Sequence, residues 1–507
     1  MPTTPRKGRP GQRAGRPARP AKSPAVWTKS AAPKPAASRP VTTPETPVRG
    51  QGRPPTGNIP PFVARITGLG GLGDGVARVD GEVVLVPGGV PGDLLRLRDT
   101  GKRGGVRRAE VTTVLEPSPA RRTALCPVAT ACGGCSWQHV SDDLQQETRR
   151  EQLARSVGLA AEVVLLGMPV PAFGYRRRAR LHVRARGNQL DIGFHAKASD
   201  ELVAIQSCPI LIPALSACLP GLAAVLSPYV DRGEIQLLAG LLPGLQSKAL
   251  AVSAVITGKP KKDAVIPADL ASAVLLQTGM AGVELTLGHV YQQAGHLALV
   301  LEETATTCPI AAEPAGFAQA SAVGNLAIRQ AVHTLLSEVL AERAAAKLPP
   351  LSGLWEWYAG SGNLTAVVAP LVPAIRAVEA DRDACLRLQN HVLPWLQAQP
   401  GPMAKVEVVE DDADLEQLPL PDHVAVLLDP GRPGAKALCS HLAGEDAGTP
   451  ARDILYVSCA FDTLRRDAKI LRDAGWHVRK AVLVDTYAQT PRGEAVVWLS
   501  RQAPPTV

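Results

Sequence analysis

The sequence predicts a multidomain chain in which an OB-like β-barrel and a β-rich α+β region precede a doubly wound α/β domain. Three observations support this fold class. The chain has 507 residues, more than a single hydrophobic core usually serves. Short β-type runs separated by Gly and Pro turns occur early, and helix and strand patterns alternate in the last third. The predicted boundaries are 1–55 for a tail, 56–118 for the barrel, 119–312 for the central region and 313–507 for the α/β domain.

Residues 1–55 are predicted to be disordered, because they are rich in Pro, Gly, Ala and Arg and have few large apolar side chains. They contain twelve Lys or Arg and one acid, Glu45, whereas the remaining chain carries 43 basic and 45 acidic side chains. The net charge of +9 is therefore a property of this tail. Such a tail is either an electrostatic arm for a phosphate backbone or only a solubilising segment.

Composition also indicates the compartment. No run of about 18 apolar residues and no N-terminal apolar stretch occurs, so neither a membrane span nor a secretory signal is predicted. The nine cysteines are an odd number in a chain without an export signal, which favours metal binding or catalysis over a disulfide framework. We therefore expect a cytoplasmic protein.

The barrel prediction depends on four or five β-type runs within about 60 residues, a pattern typical of OB-like folds that bind single-stranded nucleic acid. Its second half is basic, which favours RNA contact over a merely solvated face. The cations concerned are Arg96, Arg98, Lys102, Arg103, Arg107 and Arg108.

Three cysteines follow the barrel with the spacing Cys-x5-Cys-Gly-Gly-Cys, at Cys126, Cys132 and Cys135. The glycines allow the backbone to wrap closely, so the three thiols can meet at one point. Cys208 is the best candidate for a fourth ligand, because it follows a β-rich segment that can fold back. Four thiolates suit either a tetrahedral zinc or an iron–sulfur cluster.

The central region begins with an amphipathic helix from Asp142 to Leu159 and becomes mostly β from Gly174 to about Leu301. One β-type run is unusually rich in arginine, which predicts either a phosphate contact or an alternating surface strand. Its arginines are Arg176, Arg177, Arg178 and Arg180.

In the α/β domain, a strand ending near Tyr358 is followed by Gly360-Ser-Gly362 and then a helix, and the next strand ends on Glu379. A Gly-x-Gly loop lets a nucleoside approach the backbone, and the acid takes ribose hydroxyls. The absence of a third glycine suits S-adenosylmethionine (SAM), which has no pyrophosphate. Two further strands end at Asp429-Pro and at Cys459, in the same predicted crevice.

Cys459, a methyl donor and a carboxylate at Glu494 form a coherent set for methylating a pyrimidine. C5 of uracil is too electron-poor to take a methyl cation directly, whereas addition of a thiolate to C6 makes C5 nucleophilic. A base must then remove the C5 proton so that the thiolate leaves. We predict that Cys459 is the nucleophile and Glu494 the base.

From about residue 58 to its C-terminus the chain resembles the RNA (uracil-5-)-methyltransferases of the iron–sulfur, ribosomal-RNA type. The resemblance implies a TRAM domain for the barrel and four [4Fe–4S] ligands at Cys126, Cys132, Cys135 and Cys208. It implies catalytic roles for Cys459 and Glu494. It also implies contacts with SAM or the target base at Gln319, Tyr358, Gly360, Asn363, Glu379, Asp411 and Asp429. The barrel and cluster together favour 23S ribosomal RNA over transfer RNA as the substrate. We expect the chain to act as a monomer.

The sequence departs from the family pattern after the nucleophile, where Ala460-Phe461 replaces Asn-Pro, and at Ser321, where Asn is common. Two other functions therefore stay open. One is an RNA-binding relative that has lost catalysis. The other is a zinc-bearing methyltransferase acting on an exocyclic amine, although Asp429-Pro-Gly-Arg432 lacks the aromatic residue which that chemistry usually needs.

Overall fold

The computed structural model describes residues 60–243, 249–302, 304, 307–412, 420–444 and 453–502. The predicted basic tail, residues 1–55, lies outside the described residues. Within the described part, no helix combines the length and the apolar character needed to cross a membrane.

The predicted barrel is confirmed as a closed barrel of five strands in the order β1-β2-β3-β5-β4. Alternating side chains point inward because successive residues of a strand face opposite sides, and Ile66, Val84 and Leu95 are fully buried in its core. The strands are β1 (Phe62–Leu69), β2 (Gly75–Val79), β3 (Glu82–Val86), β4 (Leu94–Arg103) and β5 (Val106–Glu116).

The predicted amphipathic helix is α1 (Asp142–Val157). The hydroxyl of Ser141 accepts a hydrogen bond from the amide of Leu144 at its start, and Gly158, with φ 74°, ends it in the left-handed conformation. Its buried face, including Leu153, packs in the same core as the last strands of the α/β domain. The short strand β6 (Leu165–Leu166) then joins the edge of that domain's sheet.

The central region is a nine-stranded sheet whose main path is β13-β12-β11-β10-β7-β8-β9. Two helices, in a stretch where the sequence predicted no motif, pack against the face that carries Leu181 and Leu237. The arginine-rich strand β7 lies inside the sheet, between β10 and β8, and not at an edge. The elements are β7 (Arg178–Arg186), β8 (Gln189–His195), β9 (Leu202–Ala204), α2 (Pro213–Leu226), β10 (Val230–Leu241), β11 (Leu250–Pro260), α3 (Leu270–Thr278), β12 (Gly282–Leu287), β13 (Val290–Gly295), β14 (Leu299–Leu301) and β15 (Ile310–Ala312).

The α/β domain has an eight-stranded sheet in the order β18-β17-β16-β19-β20-β22-β21-β6. The first five strands are parallel, as a doubly wound sheet requires, and β22 is antiparallel to both neighbours. Its elements are α4 (Ala322–Ala345), β16 (Gly353–Trp357), α5 (Thr365–Val368), β17 (Ala374–Glu379), α6 (Arg382–Arg387), α7 (Leu393–Gln397), β18 (Lys405–Glu410), β19 (Val424–Leu428), α8 (Lys436–Ala443), β20 (Asp453–Ser458), α9 (Phe461–Asp473), β21 (His477–Val484) and β22 (Glu494–Ser500).

Chain order reverses between β16 and β19, because β17 and β18 lie on one side of this pair and β20 lies on the other. The carboxyl ends of strands at such a switch point form a crevice, where ligands of open α/β sheets bind. The described residues belong to one compact unit that begins at Pro55. The boundaries at residues 118 and 312 therefore stay predictions.

Candidate active site

The residues predicted to contact SAM come together at the carboxyl ends of four adjacent strands. Glu379 ends β17 and accepts a hydrogen bond from the amide of Gly360 at 2.8 Å. The amide of Asp411, just after β18, donates to the carbonyl of Glu379 at 3.1 Å. Asp429 follows β19, and its amide donates to the carbonyl of Trp357 in β16 at 3.3 Å. The structure thus places these predicted residues along one edge of the sheet.

The loop after β16 has an unusual backbone. Tyr358 has φ 64°, a left-handed conformation that bulky residues rarely adopt and that is often found at functional sites. Gly362 has φ 86°, and a Cβ there would lie 2.9 Å from the side chain of Leu388. The side-chain amide of Asn363 exchanges two hydrogen bonds with that of Asn325 in α4, at 2.8 and 3.0 Å. Asn363 therefore fixes the loop to helix α4.

Cys459 and Glu494 lie side by side. Strands β20 and β22 are antiparallel neighbours whose last pair at this end is Ser458 opposite Ala495. Cys459 follows Ser458 and Glu494 precedes Ala495, and the two side chains are close enough for the charge of Glu494 to raise the pKa of the Cys459 thiol. The sequence analysis placed Cys459 at the end of one strand and Glu494 just before another. The antiparallel pairing of β20 and β22 brings these two ends together.

The acids around Cys459 are buried and close to one another. Burial, and then the charges of Glu494 and Asp429, raise the pKa of the Cys459 thiol to about 11, against the opposing effect of Arg432. Burial and Asp429 raise the pKa of Glu494 to about 8, although its hydrogen bond with Tyr487 opposes the shift. Burial and Glu379 raise the pKa of Asp429 to about 7. These raised pKa values show that the acids disfavour one another's ionisation, and a cationic ligand such as a sulfonium would favour their charged forms.

Three residues of this site were missed by the sequence analysis. Glu356 in β16 is 1% exposed, and burial raises its pKa to about 8 although it accepts a 2.7 Å hydrogen bond from Thr365. Tyr487 is hydrogen-bonded to Glu494, and Arg432 is the cation that faces Cys459 and Glu494. An acid inside an otherwise apolar strand, and an arginine in the Asp-Pro turn, were the signals available in the sequence.

A buried carboxylate locks the turn after Asp429 to the strand and helix that flank the nucleophile. Asp467 in α9 is fully buried and accepts hydrogen bonds at 2.8 Å from the amide of Ala435 and from the hydroxyl of Tyr456. Ala460 is the N-cap of α9 but has no capping side chain, and the hydroxyl of Ser458 bonds its backbone instead. Ser321 similarly caps α4 by accepting from the amide of Gly324. Asn and Ser are comparable N-caps, which explains how this chain replaces the Asn that is common there.

Cys459 opens onto a groove of about 930 Å³ that runs from the barrel to the α/β domain. Its walls come from barrel loops near Leu72 and Gly88, from the cysteine segment around Cys132, and from the loops after β20 and before β22. Asp462 is the single acid among its lining residues. The lining cations are Arg121, Arg155, Arg176, Lys197, Arg432, Arg465 and Arg492.

The other predicted basic residues have mixed roles. Arg177 is buried, and its side chain donates to the carbonyl of Gln319 at 3.1 Å. Gln319 therefore lies beside the segment before β7 that contains Arg176, but it does not line the groove. Arg180 forms an ion pair with Glu234. In the barrel, acids pair with Arg98, Lys102, Arg107 and Arg108.

The loop that carries Glu494 is braced from α1. Arg149 is 1% exposed, forms a 2.5 Å ion pair with Asp485, and donates to the carbonyl of Thr490 at 2.7 Å. Gln489 is fully buried with φ 70°, and its amide donates to the side chain of Gln145 at 2.9 Å. These contacts join residues more than 300 positions apart, so local sequence patterns could not reveal them.

The four predicted ligand cysteines are half-buried free thiols in one region. Cys135 and Cys208 share an apolar cluster with Tyr175 and Ala488, which lies in the loop before Glu494. Burial, followed by the nearby thiols of Cys208, Cys132 and Cys126, raises the pKa of Cys135 to about 11. Among the described residues, no three His, Cys, Asp or Glu side chains are spaced to hold a metal ion, so the predicted cluster is not confirmed.

Comparison with known proteins identifies the family. The 23S rRNA (uracil(1939)-C(5))-methyltransferase RlmD of Pseudomonas entomophila is 31% identical over 447 residues, covering 84% of this chain and 91% of the relative. The enzyme of the same name from Pseudomonas aeruginosa strain UCBPP-PA14 is 31% identical and covers 84% of this chain and 90% of the relative. A Pyrococcus abyssi tRNA (uracil-54, C5)-methyltransferase, solved in complex with S-adenosyl-L-homocysteine, has the same fold, with a TM-score of 0.63, 20% identity, and coverage of 86% of this chain and 99% of that one. No family model matches the chain. The identity to curated relatives over most of both chains shows that this chain belongs to the RNA (uracil-C5)-methyltransferase family.

Proposed function

We propose that this chain transfers the methyl group of SAM to C5 of a uridine in 23S ribosomal RNA, acting as a cytoplasmic monomer. One observation carries the proposal. Cys459 lies beside Glu494, lines the cation-rich groove, and is close to Asp429 at the acid-lined edge of β16, β17 and β19. A nucleophile between a polyanion site and a sulfonium site is what C5 methylation requires.

In the proposed reaction, the thiolate of Cys459 adds to C6 of the uracil and the C5–C6 electron pair moves to C5 as an enolate. C5 then takes the methyl group, and SAM becomes S-adenosylhomocysteine. The carboxylate of Glu494 removes the remaining C5 proton, the C5–C6 double bond re-forms, and the C6–S bond breaks to release the thiolate. Burial and the hydrogen bond from Tyr487 hold Glu494 in position for this last step.

The site also restricts the form of the RNA. A pyrimidine ring stacked in a helix cannot present C6 to a thiol at the floor of a groove, so the target uridine must be in a loop or flipped out. Seven cations line the groove, and Arg121, Arg155 and Lys197 are in ion pairs with acids outside its walls. The other four, Arg176, Arg432, Arg465 and Arg492, suit the phosphates that flank such a nucleotide. The relatives are named for methylation of uracil 1939, so this position is the first to test.

We further propose that Cys126, Cys132, Cys135 and Cys208 hold a [4Fe–4S] cluster. The chemistry of the donors supports this proposal, although their spacing does not yet match a metal site. The four thiols are free and half-buried, and the other three contribute to the raised pKa of Cys135. When bound, the cluster would supply four iron–thiolate bonds that fix the cysteine segment. That segment forms one wall of the groove, so its own residues position the RNA.

The test uses the full chain, labelled SAM, and 23S ribosomal RNA that lacks 5-methyluridine. We expect transfer to one uridine, and no transfer by Cys459→Ala. Glu494→Gln should reduce turnover by about 10²–10⁴-fold, the usual contribution of a general base. It should accumulate a protein–RNA adduct that survives denaturation, because addition continues while elimination stalls. Glu407→Gln is the matched control, since this acid lies on β18 with a side chain 65% exposed.

Normal turnover by Glu494→Gln would refute the assignment of the base. Transfer only to transfer RNA would refute the ribosomal substrate, and SAM binding without transfer to either RNA would favour a non-catalytic relative. Iron analysis tests the cluster separately. We expect about four irons per chain, lost in Cys135→Ser, whereas one zinc per chain would refute the cluster.

A further inference from the structure

The central sheet carries a second concave site, formed by residues that do not line the catalytic groove. A cavity of about 370 Å³ lies over strands β7, β10 and β11. Its lining includes His182 and Arg184, which alternate along β7 with the buried Leu181 and Val183. The side chains used below are His182, Arg184, His195, Arg232, Glu234 and Lys259.

Three of these side chains form a row of like charges. Arg184 in β7 is directly opposite Arg232 in β10, and Arg232 is directly opposite Lys259 in β11. All three are exposed. On its other side Arg184 lies opposite Asp191 in β8, but Asp191 forms its ion pair with Arg186 at 3.1 Å, and within the described residues no ion pair joins an acid to Arg184, Arg232 or Lys259. Like charges directly opposite one another on neighbouring strands destabilise a sheet. This row of cations lowers the stability of the fold. Binding of an anion would explain the row, because the anion would neutralise the repulsion.

The next row of the sheet does not neutralise these cations. Glu234, the single acid lining the cavity, lies opposite His182 but forms a 2.6 Å ion pair with Arg180. His182 stacks on His195, with ring centroids 3.8 Å apart and planes 11° apart. Burial and then His195 lower the pKa of His182, so His182 adds no charge at neutral pH. The cavity keeps the net positive charge of its first row.

The cavity also adjoins the catalytic groove. His195 ends β8, and its carbonyl accepts a hydrogen bond from the amide of Gly133 at 2.9 Å. Ala196 pairs with Cys132, and Lys197 lines the catalytic groove. An RNA chain that leaves the catalytic groove past Lys197 would therefore reach the second cavity at His195.

We propose that Arg184, Arg232 and Lys259 bind the phosphate backbone of the RNA substrate outside the target loop. This inference rests on the proposed function. Three strands about 4.8 Å apart give the row a length of about 10 Å. Three cations spread over this length can contact neighbouring phosphates of one nucleic-acid strand. The site thus binds RNA that flanks the target uridine, and so contributes to the choice of substrate.

The test compares two RNAs, a short hairpin with the target loop alone and a longer 23S fragment that includes its flanking helices. The variant is Arg184→Gln/Arg232→Gln/Lys259→Gln. For the longer RNA we expect the slope of log affinity against log salt to become about two units less steep. Each of the three lost phosphate contacts contributes about 0.7 to that slope. Affinity at about 0.1 M salt should fall by at least about tenfold. Affinity for the hairpin and its methylation should not change.

The control is Lys405→Gln/Lys436→Gln/Lys469→Gln, which removes three exposed cations that line neither cavity. An equal loss in this control, an equal loss for both RNAs, or no loss for the longer RNA would each overturn the inference. The variant should fold, because removing opposed like charges leaves the melting temperature unchanged or higher. If the unaltered protein methylates neither RNA, the proposed function fails. The salt dependence of RNA affinity, compared between the unaltered protein and the triple variant, would still test this inference.

Discussion

Replacement of Arg149 is the sharpest test of how the catalytic base is held in place. Its guanidinium is 1% exposed, and the Asp485 side chain to which it is paired is 20% exposed. Arg149→Met keeps most of the apolar stem but removes the ion pair at 2.5 Å and the hydrogen bond to Thr490 at 2.7 Å. Asp485, whose pKa is already raised by burial, then loses the cation that opposes this shift.

Removing one partner of a buried ion pair costs about 3–5 kcal/mol, because the other charge stays buried without compensation. Asp485 is at one end of the loop and Glu494 is at the other, so part of this cost will appear as displacement of the base. A misplacement of about 1 Å costs about a hundredfold in rate. We therefore expect a large fall in kcat, with little change in SAM affinity, because the hydrogen bond between Gly360 and Glu379 joins the ends of β16 and β17, which β19 and β20 separate from β22.

The assay is a double-mutant cycle of Arg149→Met and Asp485→Asn, measured by denaturant unfolding and by kcat. The double variant should cost about 1–3 kcal/mol less than the sum of the two single variants, since the charges are removed together. Arg150→Met is the matched control on the same helix, because Arg150 bonds the carbonyls of Val164 and Glu162 and not the catalytic loop. Full additivity, or an Arg149→Met enzyme with normal kcat, would show that the loop is held by other contacts.

Two further predictions concern pH and SAM binding. The pKa values of Glu356 and Glu494 are about 8 in the folded protein, above their ordinary value of 4.5, and that of Asp429 is about 7. The folded state thus holds protons that the unfolded chain releases, and the free energy of unfolding without SAM should fall from pH 6.5 to 8.5. Urea titrations check this, Glu494→Gln should reduce the slope, and greater stability at the higher pH would contradict it. Separately, Asn325→Ala removes the partner of the Asn363 amide at a cost of about 1–3 kcal/mol, and calorimetry should show SAM binding weakened by about ten- to a hundredfold. Gln330→Ala, exposed on the same helix, is the control, and equal SAM affinity in both variants would contradict the role given to Asn325.

Sequence patterns were sufficient where a residue's position follows from its own element. The carboxyl ends of parallel strands meet at one edge of a sheet, so the approximate positions of Glu379 and Asp429 followed from recognising β17 and β19. The pairing of Cys459 with Glu494 required one more fact, the antiparallel insertion of β22 between β20 and β21. Hydrophobic periodicity does not give strand order, and the short run before Cys459 reads the same in either arrangement.

Sequence patterns failed where a contact joins distant segments. Helix α1 was predicted within two residues of its end, but its packing beside the last strands of the α/β domain was not. An arginine on an amphipathic helix is usually exposed, and Arg149 is buried only because Asp485 lies across from it. The arginine-rich strand shows the same limitation. Its residues read as one charged run, yet Arg177 is buried, Arg176 lines the groove, and Arg184 belongs to another site.

These contacts indicate that the base is fixed before RNA arrives. Trp137, in the cysteine segment, is fully buried, and its indole donates to the carbonyl of Gly73 in a barrel loop at 3.0 Å. Its backbone amide donates to the carbonyl of Gln489 at 3.0 Å, five residues before Glu494. Barrel, cysteine segment and catalytic loop are therefore joined by buried hydrogen bonds, and moving the loop would leave several polar groups unpaired at about 1–3 kcal/mol each. Because a fixed carboxylate needs no reorganisation during proton removal, this rigidity favours the elimination step over flexible closure around the substrate.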